Sequence, residues 1–217
     1  MKNSAITEQP RAQRILRLLQ EKYPDAGCEL DYSSGFTLLV AVILSAQCTD
    51  KRVNEVTAEL FKTASDPQEF LDMGQAELER RIFPCGFYRQ KAESILSASR
   101  DIIEKHGGRV PDDFDALIAM RGVGRKTANV VLSVAYHQSR IAVDTHVFRV
   151  SRRLGLSKGE TPEAVERDLT AAFSGGGGAT AHHVLIFHGR YCCKARKPEC
   201  GECPVAAYCA ATGANDE

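Results

Sequence analysis

The chain has 217 residues, enough to bury a core as one large domain or two small ones. Hydrophobic residues make up 43% and charged residues 26%, which excludes a disordered chain. Lys plus Arg and Asp plus Glu balance at 28 each, so a uniformly basic, histone-like protein is excluded but a local basic face is not.

In chain order the elements read as helices. Met1 to Leu19 carry charges throughout and lack an apolar h-region, so no signal peptide is expected. Residues 10–22 place Ile15, Leu16, Leu18 and Leu19 on a charged background, an amphipathic helix. Ser33-Ser34-Gly35 start a second helix from Phe36 to about Gln47. It is apolar on nearly every face and too short to cross a bilayer, so it belongs at the centre of a core. Residues 50–62 form the next helix, with Val53, Val56, Leu60 and Phe61 at helical spacing. Asp66-Pro67 start another that Gly74 breaks, and helices at 76–82 and 88–105 flank Phe83-Pro84-Cys85-Gly86. Pro111-Asp112-Asp113 cap a short helix ending near Met120. After Arg121-Gly122-Val123-Gly124, an apolar helix runs from about Lys126 to Tyr136, and another starts near Thr145. Thr161-Pro162 open a further helix, Ser174 to Gly178 form a flexible loop, and His182 to His188 form a last core helix. Ile141-Ala142-Val143 is too short to count as a strand, and no repeat is visible. The expected fold class is all-α.

The eight cysteines are unevenly placed. Cys28, Cys48 and Cys85 are scattered, whereas Cys192, Cys193, Cys200, Cys203 and Cys209 crowd the last 26 residues. Clustering without a secretory signal points to a metal site in a reducing compartment. The spacing Cys193-x6-Cys200-x2-Cys203-x5-Cys209 supplies four thiolates for zinc or for a [4Fe–4S] cluster. A zinc ribbon usually presents two close pairs; the single x2 pair with wide flanks favours the larger iron–sulfur group. Cys192 is taken as a packing residue beside the ligand Cys193.

Gly122-Val123-Gly124 between two helices is either a tight turn or a phosphate-sized anion site. Glycines allow φ > 0 and bring amide N–H groups close to a ligand, and the next helix adds its positive end. Arg121, Arg125 and Lys126 add charge, and such a helix–hairpin–helix grips a nucleic-acid backbone without reading sequence. Lys126 is either a solvated lysine or an amine nucleophile. A free lysine has a pKa of ~10.4, and helix end, nearby arginines and partial burial would all favour its neutral form. Asp144, after Ile141-Ala142-Val143, is either an N-cap or a catalytic carboxylate, and His146 carries the same ambiguity. His182, His183 and His188 read as packing or structural partners.

In this order the motifs have a recognisable source. Leu117-Ile118-Ala119-Met120-Arg121-Gly122-Val123-Gly124-Arg125-Lys126-Thr127-Ala128-Asn129-Val130-Val131 are followed by Val143-Asp144-Thr145-His146. His188-Gly189-Arg190 and the four-cysteine tail complete the set. With Leu44-Ser45-Ala46-Gln47 included, nearly the whole chain resembles the endonuclease III family, bacterial DNA glycosylase/AP lyases of the helix–hairpin–helix superfamily. The resemblance implies two helical domains with a DNA-binding cleft between them. One spans 28–138 with the hairpin; the other is discontinuous, 1–27 and 139–217, and carries the cluster. It implies a [4Fe–4S] cofactor on Cys193, Cys200, Cys203 and Cys209. It implies Lys126 as nucleophile and Asp144 as catalytic aspartate. For DNA contacts it implies Gln47 in the gap left by an extruded base and Phe87 as wedge. Gly122, Val123, Gly124, Arg125 and His146, and Lys194, Arg196 and Lys197 of the first cluster loop, complete these contacts. The implied activity is excision of oxidised pyrimidines such as thymine glycol from duplex DNA, followed by β-elimination. The implied partner is damaged or abasic duplex DNA, with no membrane; the protein is expected to be a monomer in the cytoplasm.

Four departures bear on substrate range and turnover. Met120-Arg121 replace a Leu-Pro, Ile118 stands where glutamate is common, Phe87 replaces leucine, and the Gly175–Gly178 run is atypical. The related adenine-excising glycosylase is the competing enzyme reading, but it lacks the lysine and has an extra C-terminal domain. A non-catalytic DNA-binding or redox protein on the same fold is the competing class.

Overall fold

The structure is a computed structural model and describes residues 10–174 and 177–213. The first nine residues of the segment read for a signal peptide, and Gly175 and Gly176 of the glycine run, lie outside the described residues. The helices are α1 (Arg11–Lys22), α2 (Gly35–Ser45), α3 (Asp50–Thr63), α4 (Pro67–Ile82), α5 (Tyr88–His106), α6 (Phe114–Ile118), α7 (Arg125–Ala135), α8 (Thr145–Leu154), α9 (Pro162–Ala172) and α10 (Gly178–Tyr191). Short 3-10 turns occupy Phe83–Cys85 and three stretches of the cysteine tail. Among the described residues there is no strand, and Ile141-Ala142-Val143 is loop. No described helix is long and apolar enough to cross a membrane.

The chain divides into two compact units, Glu29–Gln138 and a discontinuous one formed by the segments before Glu29 and from Ser139 onward. In the Glu29–Gln138 unit α2 is central. Every residue from Phe36 to Leu44 is buried, as its all-round apolar sequence requires. Its start is a capping box: Ser34 Oγ accepts from the Thr37 amide at 3.1 Å, and Thr37 Oγ1 accepts from the Ser34 amide at 2.8 Å. Helices α3, α5 and α7 pack around it. Removing a side chain such as Leu38 or Leu39, both fully buried, would cost ~2–5 kcal/mol.

Two expectations need correction. Helix α2 stops at Ser45, so Gln47 is not helical; it sits in the turn to α3 with φ 52°. The apolar run ends at Leu44 and Ser45 Oγ folds back onto the Val42 carbonyl at 2.9 Å, ending the ladder. Gly74 breaks the helical backbone as expected: with φ 74° and ψ 170° it sets a kink between two helical runs inside α4. The loop read through Gly178 ends at Gly177, and α10 runs from Gly178 to Tyr191, longer at both ends than His182 to His188.

The discontinuous unit has its own core. Ile15, Leu16 and Leu19 of α1 meet Val147, Val150 and Leu154 of α8, Val165 and Leu169 of α9, and Val184 and Leu185 of α10. Val205 and Cys209 of the tail are buried in the same cluster. The tail is thus part of this core, anchored by Arg11, which donates to the carbonyls of Leu154 and Tyr208.

Candidate functional site

In the hairpin, only one of the two glycines takes a left-handed backbone. Gly122 has φ 80°, whereas Gly124 is extended and is the N-cap of α7. A Cβ on Gly122 would lie 2.3 Å from Ser94 Oγ, so glycine is required there on two counts. Nothing lies within 4 Å of where a Gly124 Cβ would be, so the backbone there is open on that side at a helix start. Val123 is buried and pins the loop from beneath. This is the arrangement by which a helix end accepts an anion. Arg121, the charge added by the departure from Leu-Pro, is paired with Glu93 at 2.8 Å. Arg125 lies 4.8 Å over the Phe114 ring.

Lys126 is the second residue of α7 and is exposed. It is solvated because the apolar face starts two residues later at Ala128. An exposed amine on the first turn, two residues beyond the Gly124 N-cap, can reach a bound backbone. In the other unit, Asp144 is the N-cap of α8, and its Oδ1 accepts from the Val147 amide at 2.7 Å. The cap reading therefore holds, yet it occupies one oxygen and leaves Oδ2 without a protein partner among the described residues. His146 is half-buried, and its Nδ1 lies 3.3 Å from Arg149 Nη2. A Cβ on Gly189 of α10 would meet the His146 Cβ at 2.9 Å, so α8 and α10 touch at that glycine.

Gln47 and Phe87 are both exposed and both left-handed, at φ 52° and 47°. Phe87 is 62% exposed, which removes the alternative that it packs against the helix it precedes. A bulky residue held at positive φ and pointed at solvent costs ~1–3 kcal/mol, a cost usually met at functional sites.

The cysteine tail wraps a cavity of about 190 Å³ lined by Cys192, Cys193, Cys200, Cys203, Cys209 and Arg153, with other residues. A single tetrahedral ion needs no such space; the volume and the four thiols suit a larger sulfur-ligated group. Arg153 Nη1 donates to Cys193 Sγ at 3.5 Å and to the Lys194 carbonyl at 2.7 Å. His188, fully buried, faces Cys203 Sγ with its Nε2 at 3.6 Å, and Tyr23 Oη lies 3.3 Å from its Nδ1. Burial pushes the His188 pKa down to about 4, so the ring is neutral. The donor atoms of His188, Cys192 and Cys203 all lie within 4.8 Å of one another. Cys192 Sγ, however, donates to the Glu199 carbonyl at 3.5 Å, and burial raises its pKa to about 12. Lys194 is exposed but paired with Glu199 at 2.6 Å; Arg196 and Lys197 are exposed, and Lys197 has φ 51°.

Sequence reasoning missed the supports. Arg149 and Arg153 are four apart on α8, and both donate to carbonyls of the tail, Arg149 to Cys193 at 3.1 Å. Their i,i+4 spacing was the available signal. Lys91 is 5% exposed and donates to the carbonyls of Leu44 and Cys85, each at 2.8 Å. Burial pushes its pKa down. Nothing in the pattern of α5 distinguished it from the solvated lysines.

Comparison with known proteins bears on this arrangement. The family model of the HhH-GPD superfamily, base excision DNA repair proteins, matches residues 40–174. The model of the iron-sulfur binding domain of endonuclease III matches residues 193–209, from Cys193 to Cys209. The endonuclease III of Rickettsia conorii is 47% identical over 196 residues, 90% of this chain and 93% of the relative. That of Haemophilus influenzae is 49% identical over 195 residues, 90% and 92% of the two chains. Among solved structures, an endonuclease III trapped as a covalent intermediate with DNA superposes with a TM-score of 0.87 and 42% identity, covering 95% of this chain and 98% of the other.

Proposed function

The chain belongs to the HhH-GPD superfamily of base excision DNA repair proteins, in its endonuclease III branch, and from that premise we propose which residues carry its chemistry. The protein is a bifunctional DNA glycosylase and AP lyase that removes oxidised pyrimidines from duplex DNA and cuts the strand. It carries a [4Fe–4S] cluster in its C-terminal loop. Its proposed place is the cytoplasm, on DNA, from its similarity to bacterial endonuclease III.

The observation that carries the assignment is the exposed Lys126 amine on the first turn of α7, two residues beyond the Gly124 cap. In the proposed binding mode, the amides behind Gly122 and Gly124 and the charge of Arg125 hold a phosphate. The Lys126 Nζ lone pair attacks C1′ of the damaged nucleotide, the glycosidic bond breaks, and the base leaves with a proton. The C1′–O4′ bond then opens, O4′ takes the proton shed by the amine, and the Schiff base so formed acidifies the C2′ proton; loss of that proton expels the 3′ phosphate by β-elimination. Asp144, with one oxygen held by the Val147 amide, supplies a fixed carboxylate whose other oxygen offsets positive charge on the sugar. Gln47 and Phe87 fill the gap left by the extruded base, whose unstacking costs a few kcal/mol.

Four cysteines fit the cluster: Cys193, Cys200, Cys203 and Cys209. When bound, the cluster supplies a rigid four-point tether for the basic loop of Lys194, Arg196 and Lys197. Arg149 and Arg153 hold the start of that loop's backbone from the protein side, and Arg11 holds the tail further on at the Tyr208 carbonyl.

The experiment is borohydride trapping on abasic and thymine-glycol duplexes. Peptide mapping should place the adduct on Lys126. Lys126→Ala should bind damaged DNA without trapping or cleaving; undiminished trapping in that variant would move the chemistry to another amine.

A further inference from the structure

Cys48 and Cys85 belong neither to the lysine's helix nor to the cysteine tail, yet the fold pairs them. Cys48 lies in the turn after α2, and Cys85 closes the 3-10 turn after α4. The Cys48 side chain is Cys85's hydrogen-bonding neighbour. Lys91 ties the two segments together, donating to the Leu44 carbonyl on one and the Cys85 carbonyl on the other. Its ammonium acts on both thiols. Cys85 is 2% exposed and Cys48 is half-buried. One reachable thiol, one sheltered partner and a fixed cation beside both are the components of an oxidisable dithiol.

We propose that Cys48 and Cys85 form a reversible disulfide when the protein meets a hydroperoxide, and that this bond displaces Gln47 and Phe87 from their DNA-gap positions. The second half rests on the reading of Gln47 and Phe87 given above. Cys48 loses its proton and its sulfur attacks one peroxide oxygen. The O–O bond breaks and the departing hydroxide takes up that proton as water, leaving Cys48 as a sulfenic acid. The Cys85 sulfur then attacks the Cys48 sulfur; the S–S bond forms, the S–O bond breaks, and hydroxide leaves with the Cys85 proton as a second water. Two thiols and one peroxide give one disulfide and two waters. Burial pushes the Cys85 thiol up to about 11, so Cys48 reacts first and Cys85 resolves, with Lys91 stabilising negative charge on sulfur.

The consequence follows from position. Gln47 directly precedes Cys48, and Phe87 is two residues after Cys85. An S–S bond of about 2.05 Å is shorter than any contact between thiols, so closing it draws the two segments together by on the order of 1 Å. A misplacement of ~1 Å in a positioned group can cost ~10²-fold in rate.

The test uses the cluster-loaded protein and hydrogen peroxide, with cluster absorption followed to show that iron is retained. After alkylation and digestion, the peptides of Cys48 and Cys85 should appear cross-linked and separate on reduction with dithiothreitol. Excision of thymine glycol from a paired duplex should fall by ~10-fold or more on oxidation and return on reduction. Cys48→Ser and, independently, Cys85→Ala should show neither effect at the same dose. Both thiols still alkylatable after peroxide, or a sulfinic acid on Cys48 without cross-link, would overturn the dithiol. A cross-link that leaves paired-lesion excision unchanged would overturn the displacement of Gln47 and Phe87. If Phe87→Ala is then also fully active, it is the wedge reading that has failed.

Discussion

His188 Nε2 lies 3.6 Å from Cys203 Sγ while the other ring nitrogen lies 3.3 Å from the Tyr23 hydroxyl. The ring therefore sits between a tyrosine and a cluster cysteine, as a hydrogen-bonding support rather than a ligand. The three-residue group His188, Cys192 and Cys203 makes the opposite assignment testable. Purified protein should be yellow-brown with about four irons and four sulfides per chain, the stoichiometry of a [4Fe–4S] cluster. His188→Asn and Cys192→Ser should keep that iron; Cys193→Ser, Cys200→Ser or Cys209→Ser should lose it. Losing the donor at Cys203 should also make the reduction potential of His188→Asn more negative, since hydrogen bonds to cluster sulfur raise it. Iron lost from His188→Asn and kept in Cys193→Ser, or stoichiometric zinc in native protein, would reverse the ligand assignment.

Gly122 and Ser94 form a second testable pair. Gly122→Ala places a methyl 2.4 Å from the Ser94 Cβ at φ 80°. The backbone strain alone is ~1–3 kcal/mol, and the clash adds to it. Binding of abasic duplex should weaken along with the melting temperature, because the hairpin amides move. Ser94→Gly should be mildly destabilising alone, by ~1 kcal/mol for glycine in a helix. Combined with Gly122→Ala it should cost less than the sum, by ~0.5–3 kcal/mol for residues in contact. Strict additivity in a denaturant double-mutant cycle would show that the two do not meet.

Most helices were legible because their signals are local. Ser34 and Asp66 cap helices with box partners three residues on, and Phe36 to Leu44 is apolar on every face. The exceptions have physical causes. The apolar helix behind Lys126 left open whether its amine is solvated, and the structure exposes it because the buried face begins only at Ala128. The cysteine spacing favoured iron–sulfur over zinc without deciding between them, since the cavity appears only when the tail folds onto α8 and α10. Lys91, Arg149 and Arg153 act through backbone carbonyls distant in sequence, and carbonyls leave no trace in a side-chain pattern.

Asp144 holds two roles that one pair of substitutions separates. Its cap bond to Val147 needs an oxygen acceptor and not a charge. Asparagine caps as well as aspartate, whereas alanine costs ~0.5–2 kcal/mol. Asp144→Asn should therefore melt close to the parent and Asp144→Ala several degrees lower. Both should lose most base excision while still binding damaged DNA. Excision retained in Asp144→Asn and lost only in Asp144→Ala would mean that the residue is a cap and nothing more.

Phe87 offers the sharpest separation of stability from activity. Its ring is 62% exposed and its backbone is left-handed at φ 47°. Glycine in that conformation carries no Cβ strain, so Phe87→Gly relieves ~1–3 kcal/mol and gives up little burial. The melting temperature should hold or rise. Activity should move the other way, because stacking of an aromatic on a base is worth ~1–3 kcal/mol, roughly five- to hundredfold. The loss should be largest on thymine glycol in a fully paired duplex. It should be smaller opposite a mispair and smallest on an abasic site, where extrusion costs least. Phe87→Leu should fall between, keeping a wedge without an aromatic face. Single-turnover rates on the three substrates, beside melting curves for both variants, decide the matter. An equal loss on all three substrates would assign the ring to general DNA affinity, and a lowered melting temperature in Phe87→Gly would assign it to the fold.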